Sequence, residues 1–158
     1  MARSLIAISV LLLGLCQTVP ADSTTSLKQL LNQKEAPEGV VFEIITEDDD
    51  GLEWAIPRTQ QYIKQLHEKF PQLAIAVVTH GREMFSLQKR DAYGAREVHE
   101  QVQSLVQDQN VALHACGTYA GWFGVDPGDF PEYVDVAAAG PAQINDYRAL
   151  GYVLITLP

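Results

Sequence analysis

The chain has 158 residues, with 11 lysines and arginines against 20 aspartates and glutamates, a net charge of −9. That balance repels phosphate backbones and anionic lipid, and no basic patch offsets it, so nucleic acid is excluded as a partner. Two cysteines, Cys16 and Cys116, are too few for a disulfide framework.

Arg3, the apolar run from Leu5 to Leu15 and the small-residue stretch Thr18-Val-Pro-Ala21 form the pattern of a secretory signal peptide, with cleavage expected after Ala21. The run is short for a membrane span. Leu15 stands before Cys16, where a lipoprotein signal places a small residue, which argues against acylation. The expected location is therefore periplasmic or secreted, with no membrane attachment after cleavage. Removing residues 1–21, whose only charge is Arg3, leaves 137 residues with a net charge of −10 and Cys116 as the one thiol. That is the size of one domain with a substantial core. An unpaired thiol in an oxidising compartment is either buried and inert or kept for reaction.

Residues 22–39 read as a polar N-terminal arm in which Leu27, Leu30 and Leu31 make one weak amphipathic turn. Residues 40–158 read as an α/β domain. Val40 to Thr46 is rich in branched and aromatic residues and predicts a first strand. Glu47-Asp-Asp-Asp-Gly51 breaks it, and a solvated acidic loop is favoured over a calcium loop because Pro57 falls where the bidentate glutamate belongs. Pro57 fits the first turn of a helix continued by Ile63, Leu66 and Phe70. Leu73 to Thr79 is almost wholly apolar, as in a parallel strand covered on both faces, and His80-Gly81 closes it with a tight turn. Met84, Phe85 and Leu87 fit a short helix. Ala95, Val98, Val102 and Leu105 repeat at helical spacing up to a stop at Asn110, while His67 and His99 fall on polar helix faces.

Val111 to Ala115 predicts a third strand, and Cys116 opens the helix that follows it. A fourth strand is expected over Tyr133 to Ala139. A helix from Gly140-Pro141 to Leu150, capped by Gly151, leads to a last strand over Tyr152 to Thr156. Strands alternating with helices imply a three-layer α/β/α, flavodoxin- or Rossmann-like domain around a mostly parallel sheet of about five strands.

Three pieces of this pattern resemble the DsrE/DsrF-like family, the sulfur-relay proteins of sulfur oxidation and tRNA thiolation together with their relatives. They are the Thr79-His80-Gly81 turn, Val111-Ala-Leu-His-Ala-Cys116-Gly at the third strand, and Val136-Ala-Ala-Ala-Gly140 with its helix and Leu150-Gly151-Tyr152. The resemblance spans roughly residues 40 to 158. It implies a flavodoxin-like sheet, assembly into oligomers, and a persulfide carried on the cysteine at this turn, the position of Cys116. A sulfur donor and an acceptor would be its partners.

The thiolate is the nucleophile in sulfur exchange, and a helix N-terminus stabilises it, so Cys116 is the primary candidate. His114 lies two residues away on the same strand face, and His80 ends another strand; either could lower the thiol pKa or shuttle its proton. Gly117, Tyr119 and Trp122, with Phe123, could wall a pocket above the thiol; the three aromatics fit oligomer contacts or core equally. The expected function is an exported DsrE-like carrier that relays sulfane sulfur on Cys116, with no metal and no cofactor. Two alternatives stay open: a non-enzymatic oligomeric binding or assembly module in which Cys116 is packing, and a soft-metal site at His80, His114 and Cys116. No dinucleotide fingerprint or phosphate-binding loop occurs.

Overall fold

A computed structural model of the chain describes residues 23–157. The expected signal peptide lies outside the described residues. The strands are β1 (Gly39–Ile44), β2 (Ala74–Thr79), β3 (Ala112–Cys116), β4 (Asp135–Ala137) and β5 (Tyr152–Leu157). They form one sheet in the order β4-β3-β2-β1-β5, with every pairing parallel. The helices are α1 (Ser23–Leu31), α2 (Gly51–Lys69), α3 (Arg96–Gln109), α4 (Gly117–Trp122) and α5 (Gly140–Ala149). The expected three-layer α/β/α architecture with five parallel strands is what the chain adopts.

The topology explains how the layers are filled. From β1 to β4 the chain steps across the sheet in one direction, and right-handed crossovers put α2 and α3 on one face. Between β4 and β5 it returns across the whole sheet, so the same handedness sends α5 to the opposite face. Phe42, Ile44, Ile56, Leu66, Val77 and Leu105 anchor the larger core under α2 and α3. Val41, Ala76, Val78 and Ile144 form the smaller core under α5. The segment expected as a polar arm forms α1, whose Leu27 and Leu30 are buried in the larger core.

Several boundaries differ from expectation for physical reasons. Helix α2 begins at Gly51 rather than at Pro57, which sits in its interior. Leu52, Ala55 and Ile56 are fully buried ahead of the proline, and their packing outweighs the backbone hydrogen bond that Pro57 cannot donate. The short helix expected at Met84, Phe85 and Leu87 is present as a 3-10 helix, Arg82–Leu87, followed by a second, Lys89–Asp91. Helix α3 stops at Asn110, which takes a left-handed conformation (φ 54°), as a C-terminal cap does. His99 is not on a polar face: it is buried, its Nδ1 against the Tyr133 hydroxyl and its Nε2 2.9 Å from the Ser86 carbonyl oxygen. No helix among the described residues is long and apolar enough to cross a membrane.

Candidate functional site

In an open parallel sheet, the carboxyl ends of strands near a reversal of winding are where loops part and chemistry is placed. Here the reversal brings the start of α5 over the ends of β1, β2 and β3, the ends that carry Glu43, His80 and Cys116.

Cys116 is the last residue of β3 and the N-cap of α4. Its sulfur accepts two backbone N–H groups from separate segments: Tyr119 N at 3.4 Å and Gly140 N, the first residue of α5, at 3.2 Å. N–H groups in the first turn of a helix have no partner within it, and both of these are aimed at the sulfur. Gly117 is held close to the β4–α5 connection. A Cβ on it would come within 2.9 Å of the Ala137 carbonyl oxygen, while Thr118 N donates to Ala138 O at 3.0 Å. The thiol itself is buried, 4% exposed.

Gly140 lies between Cys116 and His80. A Cβ at that position would stand 2.7 Å from His80 Cβ and 3.4 Å from Cys116 Cβ. His80 Nε2 is 2.9 Å from Glu43 Oε1, and Thr156 Oγ1 donates to Glu43 Oε2 at 2.7 Å. The His80 hydrogen bond, with smaller contributions from Thr156 and the His80 charge, holds the Glu43 carboxyl below its ordinary range against the opposing effect of burial. An ionised carboxylate can only accept, so His80 Nε2 carries a hydrogen and Nδ1 is the basic nitrogen of the neutral ring. Strands β5 and β1 and the turn after β2 thus contribute Thr156, Glu43 and His80 in a row.

His114 faces the same side but does something different. Its Nε2 meets the Tyr147 hydroxyl of α5 at 2.8 Å, and Nδ1 lies 3.1 Å from Asp135 Oδ2. That second approach is out of line for a hydrogen bond, so Asp135 acts on the ring mainly through its charge. Burial, the larger influence, pushes the His114 pKa down from its usual value, and Asp135 opposes it. Burial also raises the Tyr147 pKa. His114 therefore buttresses α5 rather than joining the row that ends at His80.

The aromatic residues after the thiol are split between packing and solvent. Tyr119 stacks on Phe85 with ring centroids 5.7 Å apart and packs against Phe123 at 5.2 Å. Trp122 is 74% exposed and Phe123 52%. Phe85, Phe123, Arg82, Tyr93 and Asp49 line a cleft of about 770 Å³, and Cys116 is not part of its wall. Arg82 is itself occupied by Asp49, with Nε to Oδ1 at 2.8 Å, so the acidic run before α2 is tied back to the turn after β2.

A second carboxylate organises these turns. Glu83 is fully buried and accepts from Thr79 Oγ1 at 2.6 Å and Gly81 N at 2.9 Å through Oε1, and from Thr46 N at 2.9 Å through Oε2. It ties the loop after β1 to the turn that presents His80. Neither Glu83 nor Glu43 was among the residues singled out from the sequence. The available signal was weak: Glu43 is the one charged residue in the apolar run Val40 to Ile45, on the opposite strand face from Phe42. Among the described residues, no three histidine, cysteine, aspartate or glutamate side chains are grouped to hold a metal ion. His80, His114 and Cys116 are therefore not a ligand set, because Glu43 and Tyr147 draw the two imidazoles to different partners.

Neither a protein-family model nor a curated protein matches the chain. Among solved structures, the protein of unknown function MTH1491 from Methanobacterium thermoautotrophicum superposes with a TM-score of 0.59 at 24% identity, over 75% of this chain and 97% of that one. The ychN protein from E. coli superposes with a TM-score of 0.49 at 13% identity, over 75% of this chain and 99% of its own. The likeness to MTH1491 establishes a shared fold across nearly the whole of that protein.

Proposed function

We propose that this protein is an exported, DsrE-like sulfur carrier that holds sulfane sulfur as a persulfide on Cys116 and passes it to an acceptor thiol. The observation that carries this reading is the pair of backbone N–H groups, from Tyr119 and Gly140, converging on the sulfur. Acyl-transfer chemistry wants donors aimed at an oxyanion beside the nucleophile. Here the donors are aimed at the sulfur, an arrangement suited to a thiolate or a perthiolate. The family-like pattern of the turn and the three-layer fold point the same way.

In the loading step the Cys116 thiolate attacks the outer sulfur of a hydropersulfide R–S–S–H. A bond forms between Cys116 Sγ and that sulfur, the donor's S–S bond breaks, and R–S⁻ departs and takes up a proton as R–SH. An acceptor thiolate reverses the sequence. Mass spectrometry of the folded protein after treatment with a low-molecular-weight polysulfide should find one or more added sulfur atoms at Cys116 and none on Cys116→Ala. An unchanged mass, with the thiol also inert to alkylation in the folded state, overturns the proposal. Export is carried by the pattern of residues 1–21 and is checked by fractionation and N-terminal sequencing of the secreted chain. Assembly into homo-oligomers, a further part of the reading, is checked by light scattering.

A second reading is favoured by one observation, the burial of Cys116 away from the cleft wall. In it the cysteine is a small core residue of a binding or assembly module. Cys116→Ala would then leave binding and oligomeric state intact while lowering stability by about 1 kcal/mol.

A further inference from the structure

We propose that Glu43, held by Thr156, is a positioning residue for His80, fixing the imidazole so that Nδ1 takes the Cys116 proton. The inference deepens the sulfur-carrier reading and rests on it for the identity of the reaction, but not for its test.

The geometry runs across three adjacent strands. In the register, Glu43 on β1 lies beside Val78 of β2 and Thr156 of β5. Thr156 Oγ1–H occupies one carboxylate oxygen at 2.7 Å and leaves the other for His80 Nε2–H at 2.9 Å. Both carboxylate oxygens have a partner, so the histidine sees a fixed acceptor rather than a rotating one. The Glu43 and His80 side chains are mostly buried, 19% and 10% exposed, which limits screening of the pair by solvent. His80 Cβ and Cγ and Cys116 Cβ all crowd the Gly140 position, at 2.7, 3.1 and 3.4 Å from a Cβ placed there, so the two side chains stand together under the start of α5.

Nucleophile, base and orienting carboxylate are the three roles that activate a thiol. The proton balance is simple. Cys116 Sγ–H gives its proton to His80 Nδ1, leaving a thiolate under the Tyr119 and Gly140 N–H groups and an imidazolium facing Glu43. When R–S⁻ leaves the donor, the imidazolium returns that proton and R–SH departs.

Other charged groups near His80 are committed elsewhere. Glu83, in the next turn, is bound by Thr79, Gly81 and Thr46, and Arg82 is paired with Asp49. Helix α5 presents Gly140 here, while its Tyr147 is turned to His114. Asp135, at the start of β4, lies against His114 of β3, 3.1 Å from its Nδ1.

The test is the pH profile of Cys116 alkylation by iodoacetamide in the folded mature chain, residues 22–158, for the wild type, Glu43→Gln, His80→Gln and the double variant. Removing the carboxylate should move the profile to higher pH by about one unit, a roughly tenfold slower reaction on its rising limb. His80→Gln should do the same or more, and the double variant should match His80→Gln alone. Thr156→Val should shift the profile in the same direction by less. A structural role alone would lower the melting temperature without moving the profile. Additive shifts in the double variant, or a shift in His80→Gln with none in Glu43→Gln, overturn the proposal. Should Glu43→Gln not fold, Glu43→Asp and Thr156→Val decide, and unchanged profiles in both overturn it. Sulfur loading is read by mass in the same samples. Failure of the wild type to load sinks the carrier reading, while the alkylation profile still reports on the Glu43–His80 pair.

Discussion

Gly140 gives its backbone N–H to Cys116 Sγ at 3.2 Å from a position that has no room for a side chain, since a Cβ there would stand 2.7 Å from His80 Cβ. The start of α5 is thus seated directly on the two residues proposed to do the chemistry. Glycine at this point is a requirement of close approach rather than of backbone conformation.

Gly140→Ala should therefore be destabilising by about 1–3 kcal/mol, the range for forcing an extra carbon into a packed site. Chemical denaturation checks the effect, and a wild-type midpoint would show that α5 is not seated this tightly.

Glu83 offers a sharper test of how the turns are held. Glu83→Ala strands the Thr46 and Gly81 N–H groups and the Thr79 hydroxyl in a buried place, at an expected cost of about 3–5 kcal/mol. Denaturation midpoints give the number, and a loss below about 1 kcal/mol would mean that water replaces the carboxylate there.

The pH dependence of stability has a definite sign. His114 titrates below its ordinary 6.5 in the folded chain because burial disfavours its charged form. The unfolded chain then binds the proton first, so stability falls as pH drops below about 6.5 and levels off once the folded-state pKa is passed. Glu43, depressed from its ordinary 4.5, adds a second loss as pH falls below that value. Thermal melts across this range should show both steps, and His114→Gln should abolish the upper one.

Helix α1 is testable as part of the domain. Leu30 is 1% exposed within the larger core, so Leu30→Ala should cost about 2–4 kcal/mol and deletion of residues 23–31 should cost more. A truncated chain as stable as the whole would return this segment to the status of a detachable arm.

The fold was legible in the sequence because apolar strands such as Leu73 to Val78 and regular helical stripes such as Val98, Val102 and Leu105 are local signals. Boundaries were less so. Pro57 looks like a helix start, and only the burial of Leu52, Ala55 and Ile56 against distant strands overrides that preference. Of the site, Cys116, His80 and Gly117 were visible as turn residues of a familiar kind. Glu43 and Thr156 were not, because their meaning arises from β1 lying between β2 and β5, a juxtaposition of residues 113 apart in sequence. His114 was visible as a residue on the Cys116 face of its strand, but strand alternation does not say that Tyr147 waits there. His99 was misjudged for a similar reason: its Tyr133 and Ser86 partners lie in other segments.

Two cores of unequal size sit on opposite faces of one sheet, and only α5 contributes a helical side chain to the smaller. Detaching α5 uncovers the smaller core and leaves the larger one under α2 and α3 intact. Opening the lid over Cys116 is therefore a sub-global excursion, well short of complete unfolding. A sulfur atom closed off in the resting state becomes reachable on the timescale of that excursion. The rate at which reagents find Cys116 should accordingly track amide exchange in α5 rather than that of the chain as a whole.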